Sequence, residues 1–179
     1  MCIRDRSYAE RLFDFPFIGP LSAEAATQAL VKPLADEGVA ITPEALAELL
    51  RLTQGYPYFL QAWGSHTWLA AEASPITLAD VMKGSVTAIA ALDEGFFRVR
   101  FDRCTPKEKK YLRAMAELGE GPHRSGDIAD VLGEKVSSLA PTRSTLIHKG
   151  MVWSPNHGDT AFTVPMFGAF MQRILPEWR

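Results

Sequence analysis

Cysteine is scarce in this chain. Only Cys2 and Cys104 occur among 179 residues, too few for a disulfide framework and, by themselves, for a metal site. A reducing, cytoplasmic compartment is the matching expectation. Long apolar runs are missing too: none approaches the ~20 residues of a membrane span, so no membrane partner is expected. The first residues lack the basic-then-apolar pattern of a secretory signal. Positive charge is in slight deficit. The 19 Lys and Arg against 21 Asp and Glu give a net charge of −2, which excludes a grossly basic nucleic-acid binder but not a local basic face. There is no GxxxxGKS/T phosphate loop and no apolar strand ending in a metal-binding acidic pair. No nucleophile motif appears, and His66, His123, His148 and His157 lack metal-ligand spacing, so each reads as a surface or internally satisfied histidine.

What is present is the composition of a globular protein. Hydrophobic residues make up 47% and charged residues 22%, and the length suffices for one ordinary domain or two small ones with a sizeable core. Residues 1–100 carry 8 Lys and Arg against 12 Asp and Glu, whereas residues 101–179 carry 11 against 9. The helical pattern changes at the same place.

Residues 1–6 show no cap, period or turn signal. They resemble translated adapter sequence at the start of metagenome-derived gene fragments, so this stretch is expected to be non-native, the alternative being a frayed native terminus. The alternating Phe13, Phe15 and Phe17 suggest a short extended segment, made irregular by Pro16. Helices follow. Ser22 is a candidate N-cap for a helix to about Asp36, with a kink expected at Pro33. Thr42 and Pro43 open a second helix that stops at Gly55. Pro57 opens a third, to about Ala73, with Leu60, Trp63, Trp68 and Leu69 on its apolar face. Thr77 caps a fourth that continues past Phe101, with Leu78, Val81, Met82, Val86, Ile89, Leu92, Phe96 and Phe97 as the expected apolar face. Trp63, Trp68, Phe96 and Phe97 are expected in the core.

A second unit starts at Thr105, where Thr-Pro-Lys-Glu is a capping box with proline at the first helical position. This helix carries Tyr111, Leu112, Met115 and Leu118. A short helix runs from about Asp127 to Leu132, and a third from near Ser138 to Lys149. Two strands, from Met151 and from Ala161, flank a turn over residues 154–159, and a last helix covers about Phe167 to Leu175. Helix, short helix, helix and hairpin is the order of a winged helix-turn-helix.

Five stretches carry a family resemblance: residues 7–13, Ile18 to Ser22, Gly55-Tyr56-Pro57, Leu146 to Gly150 and Phe162 to Pro165. Over about residues 7–179 the chain resembles the C-terminal part of a bacterial P-loop ATPase of the AAA/STAND kind. The implied fold is mainly α: a helical-bundle lid over residues 20–101, then a winged helix over 103–179 with a small β-hairpin wing. Residues 7–19 would be the tail end of an α/β ATPase core. The core itself, with its phosphate loop, would lie upstream in a gene that is incomplete here and would be the first partner of this chain. ATP or ADP with Mg²⁺ is the implied cofactor of the full-length parent. The fragment alone is expected to hold no nucleotide tightly and to be inactive.

Gly55-Tyr56-Pro57 matches the GxP motif that such ATPases carry in the lid. Glycine permits a left-handed helix end, and proline fixes the next helix start, so the turn is rigid and its ring can lie against adenine. A plain helix–helix corner is the alternative. No Lys or Arg occurs between Arg51 and Lys83, where a typical AAA lid places an arginine on the helix after this turn. The helix offers Gln61, Trp63, His66 and Trp68 instead, which favours a lid that senses adenine over one that senses phosphate. Arg11 stands where related ATPases sometimes place an arginine finger. A solvated arginine is the alternative.

The winged helix raises DNA as a partner. Its candidate face is Ser137, Ser138, Arg143, Ser144, Thr145, His148 and Lys149, hydroxyls and cations that can bond phosphates and bases. Yet no Lys or Arg lies between Lys149 and Arg173, so the wing has no cation for phosphate. A packing and signalling module, engaging a protein partner or a second copy, is the other reading. The alternative to the ATPase is a winged-helix transcription regulator with a helical sensor domain. Cys104, beside Arg103, reads as a linker cysteine or a mildly activated thiol.

Overall fold

The computed structural model describes residues 19–178. Residues 1–6, Arg11 and the Phe13–Phe17 segment lie outside the described residues. The fold is mainly helical, with one small antiparallel sheet.

Four helices come first: α1 (Ala23–Asp36), α2 (Pro43–Thr53), α3 (Pro57–Ala70) and α4 (Leu78–Leu92). Their starts follow local chemistry. The Ser22 and Thr42 hydroxyls accept the N–H groups of Ala25 and Ala45, and Thr77 and Asp80 form a reciprocal capping box. Pro33 is accommodated inside α1, near its end. The α1–α2 and α3–α4 connections are tied together: Thr42 N–H donates to Ile76 O at 2.9 Å, and Ile76 N–H to Ala40 O at 2.8 Å.

The helices α3 and α4 pack backbone to backbone. A Cβ on Gly84 would lie 2.8 Å from His66 O and from Thr67 N and Cα, so only glycine fits there. The Trp63 indole N–H donates to Ser85 Oγ at 2.9 Å. This close approach fixes the rotation of α4, whose buried stripe is Val81, Ser85, Ala88 and Leu92. Leu78, Met82 and Val86, expected on the apolar face, are exposed instead. Trp68 and Leu69 are likewise exposed, and Phe59 takes the buried place beside Leu60 and Trp63.

Helix α4 does continue, as expected, but not as a plain α-helix. A π-helical turn (Asp93–Phe97) joins it to α5 (Arg98–Asp102). Then come α6 (Pro106–Glu117), β1 (His123–Arg124), α7 (Ser125–Leu132), α8 (Val136–His148), β2 (Val152–Trp153), β3 (Asp159–Phe162) and α9 (Phe167–Ile174). The strand order is β1-β3-β2, with Val152 opposite Phe162 and His123 opposite Thr160. This is a winged-helix-like arrangement, with one strand, β1, that two residues of sequence do not announce.

The buried apolar side chains of both halves form one cluster. Phe97 is its junction: its ring stacks on Phe170 at 5.3 Å and meets Phe167 at 5.8 Å and Phe59 at 5.8 Å. Arg173 clamps the same point with a bidentate pair to Asp93 at 2.6 and 2.8 Å. Arg113, buried, seals the end of α9 by donating to Leu175 O and to Glu117.

Candidate functional site

The Gly-Tyr-Pro corner is built more tightly than its sequence suggests. The left-handed cap of α2 is Gln54, with φ 51°, and Gly55 follows with φ 70°. Two consecutive left-handed residues, not glycine alone, turn the chain. What requires glycine at 55 is a neighbour. Its carbonyl accepts Leu21 N–H at 2.9 Å, and a Cβ there would stand 2.6 Å from Leu21 O. The corner is thus strapped to the segment entering α1. Pro57 opens α3 at a position where no amide hydrogen is needed.

The corner faces a groove of about 1140 Å³. Tyr56, Pro57 and Tyr58 line one side, and Trp153, Phe162 and Pro165 line the other. No Lys or Arg is among the described lining residues, and Glu120 is the only charged one. Such a groove suits a flat, apolar or aromatic group held by stacking. Its described lining residues offer phosphate no cationic side chain. Sequence reasoning found the corner but missed the opposite wall, because Trp153 and Phe162 come next to it only through the fold.

Aromatic contacts connect the two walls through the core. Tyr58 stacks on Phe96 at 4.7 Å, Phe96 meets Phe97 at 5.3 Å, and Phe97 leads through Phe167 to Phe162, 5.8 Å at each step. The Arg100 guanidinium caps the Phe96 ring at 3.8 Å. The series starts and ends on the groove.

The residues expected from the sequence to face DNA are divided. Ser137, Ser138, Ser144, Thr145 and His148 are exposed on α8. Arg143 is turned inward: its guanidinium donates to Thr160 Oγ1 (2.7 Å), Asp159 O (2.7 Å) and Ser154 Oγ (2.8 Å), fastening α8 to the wing. Lys149 donates to Arg103 O at 2.9 Å and Glu108 Oε2 at 2.7 Å. Both cations of the face are therefore engaged within the fold, and phosphate would have to compete for them. Thr160 also bonds the Tyr111 hydroxyl; burial makes that hydroxyl a weaker acid than an ordinary tyrosine, the Thr160 bond only partly offsetting it.

Glu108 has two tasks: it caps α6 by accepting Thr105 N–H at 2.7 Å, and it receives Lys149. Burial alone would push its carboxyl up. The hydrogen bonds from Lys149 and from Thr105 outweigh that and hold it below the usual value. The glutamine variant Glu108→Gln keeps a capping side chain and removes the charge. It should cost about 1–2 kcal/mol near neutral pH. The folded carboxyl is depressed, so this contribution is complete above the unfolded glutamate value of about 4.3 and is lost as pH falls through the folded one. Urea unfolding of both proteins across pH should show a constant gap that closes only in acid.

Cys104 is buried, and desolvation, with Glu108 nearby, raises its thiol above the ordinary value. It is a core residue rather than an activated nucleophile. His66 bonds Thr87 and His123 bonds Gly119 O. Among the described residues no group of three or more His, Cys, Asp or Glu could hold a metal ion, and no helix is long and apolar enough to cross a membrane.

Residues 94–171 match the profile of a family described as a domain of unknown function (DUF8462). No curated protein matches. Among solved structures, the chain is similar to a lysine-to-arginine mutant of RuvB from Thermotoga maritima, at 15% identity and a TM-score of 0.41. The alignment covers 80% of this chain and 47% of that one, so the chain spans about half the length of that structure.

Proposed function

We propose that the chain is the helical lid and winged-helix portion of an ATP-binding protein of the AAA/STAND kind. In this reading residues 20–101 form the lid, residues 103–179 form the winged helix, and the groove at Gly55-Tyr56-Pro57 receives the adenine. Phosphates and Mg²⁺ belong to a P-loop core preceding the chain. The protein works as a nucleotide-dependent switch: the base enters between Tyr56 or Tyr58 and the wing, and the aromatic series through Phe97 relays its presence to the winged half. The observation that carries this reading is the strapped, rigid corner opening onto an aromatic groove whose described lining residues include no Lys or Arg. Such a site can hold a base and leaves phosphate to another module.

A titration of the chain with adenosine, ATP and guanosine, followed by amide and indole NMR resonances, tests it. Adenosine and ATP should move the signals of Tyr56, Tyr58 and Trp153 with similar, weak affinities, and guanosine should bind less well. ATP hydrolysis by the chain alone should be undetectable. Shifts confined to other surfaces, or ATP binding far more tightly than adenosine, would contradict the assignment.

A further inference from the structure

A second cavity, of about 400 Å³, opens among α1, α2 and α3. It shares no lining residue with the groove at the corner. Its walls are largely apolar, formed by Leu30, Leu34, Leu49, Leu60, Trp68 and Ile76, with Gln61 and Ser65 also on the lining. Gly64 leaves bare backbone in the wall, where a Cβ would already touch Leu30 Cδ2 at 3.4 Å. The size falls within the range of small-molecule sites.

Two polar features of the lining bear on what it could hold. Thr67 lines this cavity and is 1% exposed, yet its Oγ1 has no hydrogen-bond partner. No other buried side-chain polar atom among the described residues is left unpaired, and folded chains pair the large majority of such groups. The second feature is Glu37, an exposed carboxylate on the lining, at the C-terminal cap of α1. The helix end adds its own partial negative charge there. No Lys or Arg is among its described lining residues.

We infer that this cavity binds a compact amphipathic amine carrying a hydroxyl group. The apolar body lies among the leucines and Trp68, the ammonium meets Glu37 at the rim, and the hydroxyl completes Thr67 in the interior. An anionic ligand of the same shape is repelled by Glu37.

Tyramine, phenethylamine and 4-hydroxyphenylpropionate share one body and differ in the two polar ends, so they serve as probes of the full chain. The readout is the amide resonances of Gly64 and Ile76. Tyramine should bind most tightly. Losing its hydroxyl should weaken binding by up to about tenfold. Glu37→Gln should lower tyramine affinity about two- to fivefold, as expected of an exposed ion pair, and should narrow its advantage over the carboxylate. Thr67→Val should abolish the preference for tyramine over phenethylamine. It should also raise the melting temperature of the free protein by about 2–4 °C, because an unpaired buried hydroxyl is removed. The assignment fails if tyramine shifts neither resonance up to its solubility limit. It fails equally if the three probes bind alike, or if Glu37→Gln, a surface change that leaves the fold intact, does not narrow tyramine's advantage over the carboxylate. Adenosine binding at the corner is unaffected by either variant, so the two sites stand or fall separately.

Discussion

Phe97→Ala should lower the unfolding free energy by about 3–5 kcal/mol, the range for truncating a fully buried phenylalanine. Its ring touches Phe59 and Phe96 on one side and Phe167 and Phe170 on the other, so alanine empties the junction between the halves. Relaxation is restricted there, because Arg173 and Asp93 hold the same point from outside. Urea unfolding followed by circular dichroism gives the number. A loss below about 1 kcal/mol would mean that the halves are not energetically joined at this ring. Phe97→Leu should restore much of the loss, since most of the volume returns. In the alanine variant, adenosine should still move Tyr56 and Tyr58 but should shift the resonances of α9 less.

Gly55→Ala should cost about 3 kcal/mol. A left-handed backbone charges an L-residue about 1–2 kcal/mol, and the added methyl would press on a backbone oxygen, at 2.6 Å, that cannot rotate away. The adjacent position supplies the control. Gln54 is also left-handed, so Gln54→Gly should be neutral or stabilising, by up to about 1 kcal/mol. Opposite signs at neighbouring residues, read from the same denaturation series, would confirm the strap to Leu21. Equal losses at both would refute it. Because the corner shapes one wall of the groove, Gly55→Ala should also weaken adenosine binding even at temperatures where the protein stays folded.

Local chemistry was legible where a few residues decide it. Ser22, Thr42, Thr77 and Thr105 cap helices as their hydroxyls and following residues predict. The short helix expected to about Leu132 does end there, closed by Gly133 in the left-handed region. The mainly α class and the helix–hairpin order followed from these signals. What stayed hidden depends on contacts far apart in sequence. The rotation of α4 is set by Gly84 lying on Thr67, so the exposed Leu78, Met82 and Val86 looked like core. Strand β1 exists because Thr160 and Asp159 pair with it. The inward turn of Arg143 requires the wing to be in place. The candidate site was half visible, since Gly55-Tyr56-Pro57 is contiguous whereas Trp153 and Phe162 are brought opposite by the whole C-terminal half.

The wide turn at Asp93–Phe97 has a consequence for motion. No flexible linker separates α4 from α5. One uninterrupted rod crosses from the first half to the second, and a single extra residue in it sets the angular phase of everything beyond. Deleting that residue would re-phase the distal rod by about 100° and carry Phe101 away from Phe170. Along this path a displacement travels as torsion of a stiff shaft, not as swinging about a loose joint.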